Sequence, residues 1–253
     1  MNLAYKESGS GQIPLVLLHG LFASKENFLG LSRKLSDSFK LYALDLRNHG
    51  DSFHDADMRY ETMAADIAGF IEEAGIAPAL VFGHSVGGKV AMELALSRPA
   101  LVRALIVEDI APKGYPPRLE REIRALAELP AAEFGTRLEA ERWMIERLGN
   151  RAVALFLLKN LVSDNQGVFS LRLNIEALQK NLGVLLDFPR SPRSYPGPVL
   201  FIRGGASDYI LDEDVSLLQS LFPDSRLETL EGVSHWVHAE QPDTVAALVR
   251  DLL

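Results

Sequence analysis

The 253-residue chain contains no cysteine, which excludes a disulfide framework, a thiol nucleophile and any metal site built on thiolates. It has no apolar run of membrane-spanning length, and its first residues, MNLAYKESGSG, do not form a basic and then apolar leader. An excess of positive charge is also missing, because the formal net charge is −8, which disfavours nucleic acid or an anionic membrane as a main partner. We therefore expect a cytoplasmic protein with no stable membrane association.

The rest of the composition is typical of a globular protein. Hydrophobic residues make up 47% of the chain and charged residues 24%. The length is sufficient for one domain with an insertion and a substantial core. The expected oligomeric state is a monomer or a homodimer.

Short apolar runs alternate with helix-period segments through much of the chain. The runs 13–18, 41–46 and 102–107 are typical of strands that are buried on both faces of a parallel sheet, and 3–8 is a candidate edge strand. Helical patterns lie between them, for example over 60–74. This alternation predicts an α/β fold with a doubly wound, mostly parallel sheet, in which ligands bind at the carboxyl ends of the strands.

The alternation stops between residues 113 and 196. Helical patterns follow one another there, and a proline-rich stretch, 189–198, cannot be helix interior and is interpreted as a linker. We predict a helical cap at 113–196, inserted into an α/β core formed by 1–112 and 197–253. The helical patterns cover 118–129, 131–148, 151–162 and 174–187.

One serine occupies the tip of a predicted strand-to-helix turn. The apolar run 80–82 ends in Gly83-His84-Ser85-Val86-Gly87, and the apolar positions that follow are one helical turn apart. A serine at such a tip needs a strained backbone, and the crowded positions two residues before and after it must lack a side chain. The stretch resembles the nucleophile elbow of the α/β-hydrolase family. The resemblance covers almost the whole chain and implies that Ser85 is a catalytic nucleophile.

The same resemblance assigns further residues to the site. The turn after the first buried strand, His19-Gly20-Leu21-Phe22, would supply the Leu21 amide to an oxyanion hole, and Val86 would supply the second amide. Phe22 is expected to line the acyl pocket, and Trp236 is a second candidate for substrate binding. His19 and the Asp45–Ser52 turn are expected to fix loops rather than to react.

A serine hydroxyl needs a base within hydrogen-bond reach, and His235 lies where the family places that base. His238, three residues later, is the competing candidate and is expected to fix the loop or line its rim.

The acid that orients this histidine has two candidates. Asp208 follows the strand that carries the acid in most of the family, but it lies one residue beyond the usual count from Pro198, which falls on Ser207. One residue reverses a side chain in extended backbone. Asp109, in Glu108-Asp109-Ile110-Ala111-Pro112, resembles the acid of a subgroup of small bacterial acyl esterases that has a mitochondrial counterpart. We favour Asp109 and keep Asp208 as the alternative.

The resemblance implies a serine carboxylic-ester hydrolase that acts on small-molecule esters with short to medium acyl chains, and on acyl thioesters as a further option. It implies no cofactor and no metal. A C–C bond hydrolase or a lactonase on the same triad is the alternative enzyme, and a ligand receptor on a hydrolase scaffold is the alternative from another class.

Overall fold

A computed structural model describes residues 2–189 and 192–252, and a seven-stranded sheet is its centre. The strands are β1 (Tyr5–Ser8), β2 (Ile13–Leu18), β3 (Phe39–Leu44), β4 (Ala79–His84), β5 (Val102–Glu108), β6 (Leu161–Ser163), β7 (Phe169–Leu171), β8 (Val199–Gly204) and β9 (Ser225–Leu230). The sheet order is β1-β3-β2-β4-β5-β8-β9, and β6 and β7 form a separate antiparallel pair. Only β1 is antiparallel to its neighbour in the large sheet. The predicted doubly wound, mostly parallel α/β fold is confirmed.

Helices cover both faces of this sheet. The α-helices in the described residues are α1 (Leu29–Leu35), α2 (Tyr60–Glu73), α3 (Val86–Ser97), α4 (Glu120–Ala127), α5 (Arg137–Leu148), α6 (Arg151–Leu157), α7 (Ile175–Lys180), α8 (Leu182–Leu186), α9 (Val215–Leu221), α10 (Val237–Glu240) and α11 (Pro242–Arg250).

The strand residues alternate between two hydrophobic clusters because successive side chains of a strand point to opposite faces. In β2, Leu15 and Leu17 pack on the face covered by α1, α10 and α11. Val16 and Leu18 pack on the other face, with α2 and α3. All four are fully buried, as a strand between two helical layers requires.

The register of the parallel strands brings their carboxyl ends to one level of the sheet. Leu18 in β2 is paired with Gly83 in β4, and His84 is paired with Glu108 in β5. The residues that follow these strands therefore meet at one edge, where an open α/β sheet binds its ligands.

The segment between β5 and β8 contains α4 to α8 and the short hairpin of β6 and β7. The expectation of helix throughout 151–162 is wrong at its end, because α6 stops at Leu157 and the chain continues through a 3-10 turn into β6. The pattern at 131–148 is also interrupted, since Thr136 caps a new helix, α5, through its hydroxyl. Of the predicted linker 189–198, residues 190 and 191 lie outside the described residues.

Several side-chain hydrogen bonds join this segment to helices α2 and α3 and to the loop after β2. The Tyr60 hydroxyl donates to the Leu185 carbonyl at 2.7 Å, and the buried Lys89 ammonium donates to the Asp187 carbonyl at 2.7 Å. Burial lowers the pKa of Lys89 to about 7. The Asn160 amide donates to the Phe22 carbonyl at 2.7 Å, and this bond links the segment to the loop after β2.

Among residues 2–189 and 192–252, no helix combines the length and the apolar character needed to cross a membrane.

Candidate active site

Ser85 lies between the end of β4 and the start of α3, and its backbone is strained. Its φ of +52° and ψ of −122° are a conformation that residues with side chains rarely adopt. The turn is tight enough that a Cβ on Gly83 would lie 2.3 Å from the Gly87 carbonyl oxygen, and one on Gly87 would lie 2.3 Å from the Leu18 carbonyl oxygen. Both glycines are therefore required by close packing, and the Ser85 amide is anchored by donating to the Glu108 carbonyl at 3.0 Å.

His235 is held by a buried carboxylate that follows β5. The Nδ1 atom of His235 and the Oδ2 atom of Asp109 are 2.7 Å apart. Asp109 is fully buried, and its own φ of +49° is a second strained position at this edge of the sheet. Its Oδ1 accepts from the Gly204 amide at 2.9 Å, and its Oδ2 also accepts from the Ser207 hydroxyl. Because both carboxylate oxygens have donors, Asp109 is fixed as the acceptor for the His235 ring.

The structure does not bring Asp208 to this histidine. The Asp208 side chain is 71% exposed, and its two oxygens each lie 3.3 Å from the Arg118 guanidinium. Ser207, at the position reached by counting from Pro198, points inward to Asp109. The alternative prediction, that Asp208 is the partner of His235, is therefore wrong. Asp208 lies one position beyond Ser207 in the loop, and its side chain faces solvent.

The loop after β2 packs directly on the serine turn. A Cβ on Gly20 would lie 3.1 Å from the Ser85 Cβ, so the chain approaches as closely as glycine permits. Phe22 has a φ of +61°, and its amide donates to His49 Nε2 at 3.3 Å. The Phe22 amide is therefore engaged by His49, and the Leu21 amide stays the predicted oxyanion donor of this turn.

Two buried histidines hold that loop. In His19, Nδ1 lies 2.8 Å from the Gly20 carbonyl and Nε2 accepts from the Leu46 amide at 3.1 Å. In His49, Nδ1 lies 2.9 Å from the Arg47 carbonyl and Nε2 accepts from Phe22. Each ring thus uses one nitrogen as donor and the other as acceptor, which only a neutral imidazole can do. The predicted loop-fixing role of His19 is confirmed.

Burial lowers the pKa of His19 to about 4, and burial together with the neighbouring His19 lowers the pKa of His49 to about 3. An unfolded histidine has a pKa of about 6.5, so above that pH both rings are neutral in both states. As the pH falls from 6.5 towards 4, the unfolded chain binds protons that the folded chain excludes. The free energy of unfolding therefore decreases over this window.

We predict a loss of unfolding free energy on the order of 2 kcal/mol for each ring between pH 7.5 and pH 4.5. Urea unfolding at the two pH values measures it. His49→Gln should lower stability at pH 7.5 but flatten the pH dependence, whereas His54→Gln, at an exposed position, should retain the wild-type pH dependence. An unchanged pH dependence in His49→Gln would contradict the account.

A second acid–histidine pair lies beside the first. Glu108 Oε1 is 2.8 Å from His238 Nδ1 and accepts from the His238 amide at 2.9 Å, so His238 is bound to the end of β5. His238 also belongs to the lining of the cavity that contains Ser85. His84, Glu108 and His238 each offer a ligand atom within 4.8 Å of the others, the one such group in the part of the chain that the structure describes. His84 Nε2, however, lies 2.9 Å from the His235 carbonyl, so these atoms already form a hydrogen-bond network.

Ser85 and His235 line the same cavity, which has a volume of about 240 Å³. Its walls are mostly apolar, and loops of the sheet edge and helices of the 113–196 segment contribute to them: Leu21, Phe22, Leu119, Val153, Phe156 and Trp236. The Phe156 and Trp236 rings are 5.5 Å apart. Both residues predicted to bind substrate, Phe22 and Trp236, therefore face the space above the serine.

The sequence did not indicate a role for three residues that support this site. Ser207 binds Asp109, Tyr209 stacks on the imidazole at 3.9 Å between ring centroids and 18° between planes, and Glu108 anchors His238. The count from Pro198 could have indicated Ser207, and the adjacent acids Glu108 and Asp109 could have suggested two partners for the two histidines. No sequence signal marks Tyr209.

A doubly wound sheet, a strained serine after β4 and an acid–histidine pair at the same edge define a protein with the α/β-hydrolase fold and a serine-hydrolase type of site. A family model described as "Alpha/beta hydrolase family" matches residues 15–248. The chain therefore belongs to the α/β-hydrolase family.

Individual relatives support an enzyme of the esterase or lipase type. The chain is 41% identical over 236 residues to "sn-1-specific diacylglycerol lipase ABHD11" of Xenopus laevis, with 90% of this chain and 75% of that protein covered. It is 34% identical over 241 residues to "Esterase YbfF" of Escherichia coli (strain K12), with 95% and 92% covered. Among solved structures, "Marine microorganism esterase" superposes with a TM-score of 0.96 at 35% identity, covering 100% of this chain and 99% of that one.

Proposed function

We propose that this protein is a serine carboxylic-ester hydrolase for short- to medium-chain acyl esters, with Ser85, His235 and Asp109 as its catalytic triad. The observation that carries the proposal is the 2.7 Å contact between His235 and the buried Asp109 carboxylate, beside a strained serine in the same apolar cavity. Asp109 holds His235 with Nδ1 protonated, which leaves Nε2 free to take a proton.

The reaction proceeds through an acyl-serine. Ser85 Oγ attacks the acyl carbon while its proton passes to His235 Nε2. The amides of Leu21 and Val86 stabilise the resulting oxyanion. The alcohol leaves with the proton from His235, and a water molecule, deprotonated by the same nitrogen, then releases the acid and restores Ser85.

The 113–196 segment is proposed to act as a cap over this site. Leu119, Val153 and Phe156 from that segment line the cavity. The side-chain amide of Asn160, in the same segment, donates to the Phe22 carbonyl in the loop after β2. Substrate therefore meets side chains of the cap and of the core at the same time. Acyl thioesters and diacylglycerol, the latter suggested by the name of the Xenopus relative, belong in the substrate panel.

The cavity volume indicates which acyl chains are accepted. At about 30 Å³ for a water-sized group, 240 Å³ accommodates about eight heavy atoms. Each methylene that enters apolar surroundings contributes up to about 0.8 kcal/mol. We predict that kcat/KM for p-nitrophenyl esters rises about two- to fourfold per methylene from acetate to hexanoate or octanoate, and falls at laurate.

A matched pair of variants tests that the cavity sets this preference. Val153→Phe narrows the cavity and should move the optimum to shorter chains, whereas the same substitution at Val184, an exposed position outside the cavity lining, should leave the optimum in place. An optimum at acetate or palmitate in the wild type would contradict the proposed substrate range. Tight ester binding with negligible turnover would instead favour the receptor alternative.

A further inference from the structure

Glu108 and Asp109 are adjacent in the chain and hold two histidines three residues apart. Asp109 contacts the His235 ring, and Glu108 Oε1 contacts both the ring and the backbone amide of His238. Glu108 is fully buried, and no hydrogen-bond partner for its Oε2 lies among the described residues. Burying a carboxylate with a free oxygen costs stability, and an apolar residue would fill the same space without that cost.

The contacts of this pair converge on the backbone that carries His235. The His235 carbonyl accepts from His84 Nε2 at 2.9 Å, and burial, together with the neighbouring His235 and His238 rings, lowers the pKa of His84 well below its usual value, so this ring is neutral and carries one N–H. On the other side, His238 lies in the first turn of α10 and is bonded to β5 through Glu108. The His235 loop is thereby fastened to the ends of β4 and β5, the strands that present Ser85 and Asp109.

Packing of the rings supports the same arrangement. The His84 ring lies 4.7 Å from His235 and 5.0 Å from His238, and Phe28 lies 5.0 Å from His238. The His84 ring is therefore in contact with both of the other imidazoles. The bond from His238 Nδ1 to Glu108 fixes the His238 ring, and with it the loop that carries His235.

We propose that Glu108, His238 and His84 are positioning residues that hold His235 in the orientation required for proton transfer at Ser85. This inference rests on the proposed function of His235 as the base. Displacement of a catalytic group by about 1 Å can cost about 10²-fold in rate. His84 and His238 also belong to the cavity lining but are almost fully buried, so loosening the loop should lower kcat much more than it changes KM.

The test compares His238→Leu with His238→Asn. The two side chains have similar size, but only the asparagine amide can replace the Nδ1–H that donates to Glu108. We expect His238→Leu to lower kcat by about 10- to 100-fold at a nearly unchanged KM, and His238→Asn to restore most of it. Equal kcat values in the two folded variants, or a wild-type kcat in His238→Leu, would overturn the proposal.

Glu108→Gln is a second test of the positioning role, and it does not depend on whether His238→Leu is stably folded. It preserves size but removes the charge that strengthens both bonds to His238, and charge-assisted hydrogen bonds are roughly twice as strong as neutral ones. We expect a several-fold lower kcat at unchanged KM, with the thermal midpoint measured as a control for folding. Full activity in Glu108→Gln would overturn the proposal.

A spectroscopic readout separates this inference from the proposed function. The proton shared between His235 Nδ1 and Asp109 should give a far-downfield NMR signal in the free protein, without substrate. We expect the signal to exchange faster with water in His238→Leu than in the wild type or His238→Asn. If the wild type hydrolyses no ester, the proposed function fails, whereas equal exchange in all three proteins would refute the positioning role alone.

Discussion

Replacing Ser85 with alanine is expected to lower kcat for a p-nitrophenyl acyl ester by roughly 10⁶-fold, to the residual rate that binding and the oxyanion hole alone provide. The hydroxyl is the atom that forms the acyl-enzyme, and no cysteine in the chain could replace it as a nucleophile. Alanine also has to adopt the strained backbone at φ +52°, so the fold is checked by circular dichroism. The same purification from cells that do not express the protein, assayed in parallel, gives the rate that a contaminating esterase would contribute.

The matched control is Ser220→Ala, an exposed serine in α9. It should retain the wild-type kcat. Turnover by Ser85→Ala within tenfold of the wild-type rate would mean that another group attacks the ester, and the proposed mechanism would be wrong.

Asp109→Asn is expected to lower kcat by about 10⁴-fold, because an asparagine can present its N–H to Nδ1 and then favours the wrong tautomer of His235. Asp208→Asn is the matched control. Asp208 is exposed and forms a surface ion pair with Arg118, an interaction that contributes at most about 1 kcal/mol to stability. Its substitution should leave kcat within about twofold of the wild type.

These two variants distinguish the two acids that the sequence left open. Steady-state kinetics at saturating ester gives both values, and the thermal midpoint of each variant reports on folding. Near-full activity in Asp109→Asn, or a large loss confined to Asp208→Asn, would require a rearranged loop after β8 and would reject the assignment of the acid.

Features set by neighbouring residues could be predicted from the sequence. The elbow around Ser85 is one, because the two glycines and the serine lie within five residues and the required backbone leaves few other choices. The buried strands are another, since β2 is a continuous apolar run whose alternate residues fill the clusters on both faces.

Features that depend on distant contacts could not be predicted in this way. Asp109 and Asp208 both follow a strand at the same edge of the sheet, and only the register of β5 and β8 with the loop geometry places one carboxylate inside and the other in solvent. The count from Pro198 reached the inward position, although the chain after β8 turns and bends at 205–210 and is not extended. It pointed to Ser207, which supports the acid instead of replacing it.

The segment between β5 and β8 was the least predictable part of the fold. Its helical patterns are visible in the sequence. The turn into the β6 hairpin has no local signal, because it follows from the pairing of β6 with β7, eight residues further along the chain. The stacking of Tyr209 on His235 arises in the same way, from two loops that follow different strands.

Labelling with a fluorophosphonate, followed by mass spectrometry of the peptides, tests the central claim most directly. Such a reagent reacts with a serine only where a base activates the hydroxyl and amides stabilise the developing oxyanion. We predict one adduct per chain, located on Ser85, which forms at least 100-fold more slowly in Asp109→Asn, on the order expected for a misplaced base. An unlabelled wild-type protein, or an adduct on a different residue, would contradict the account.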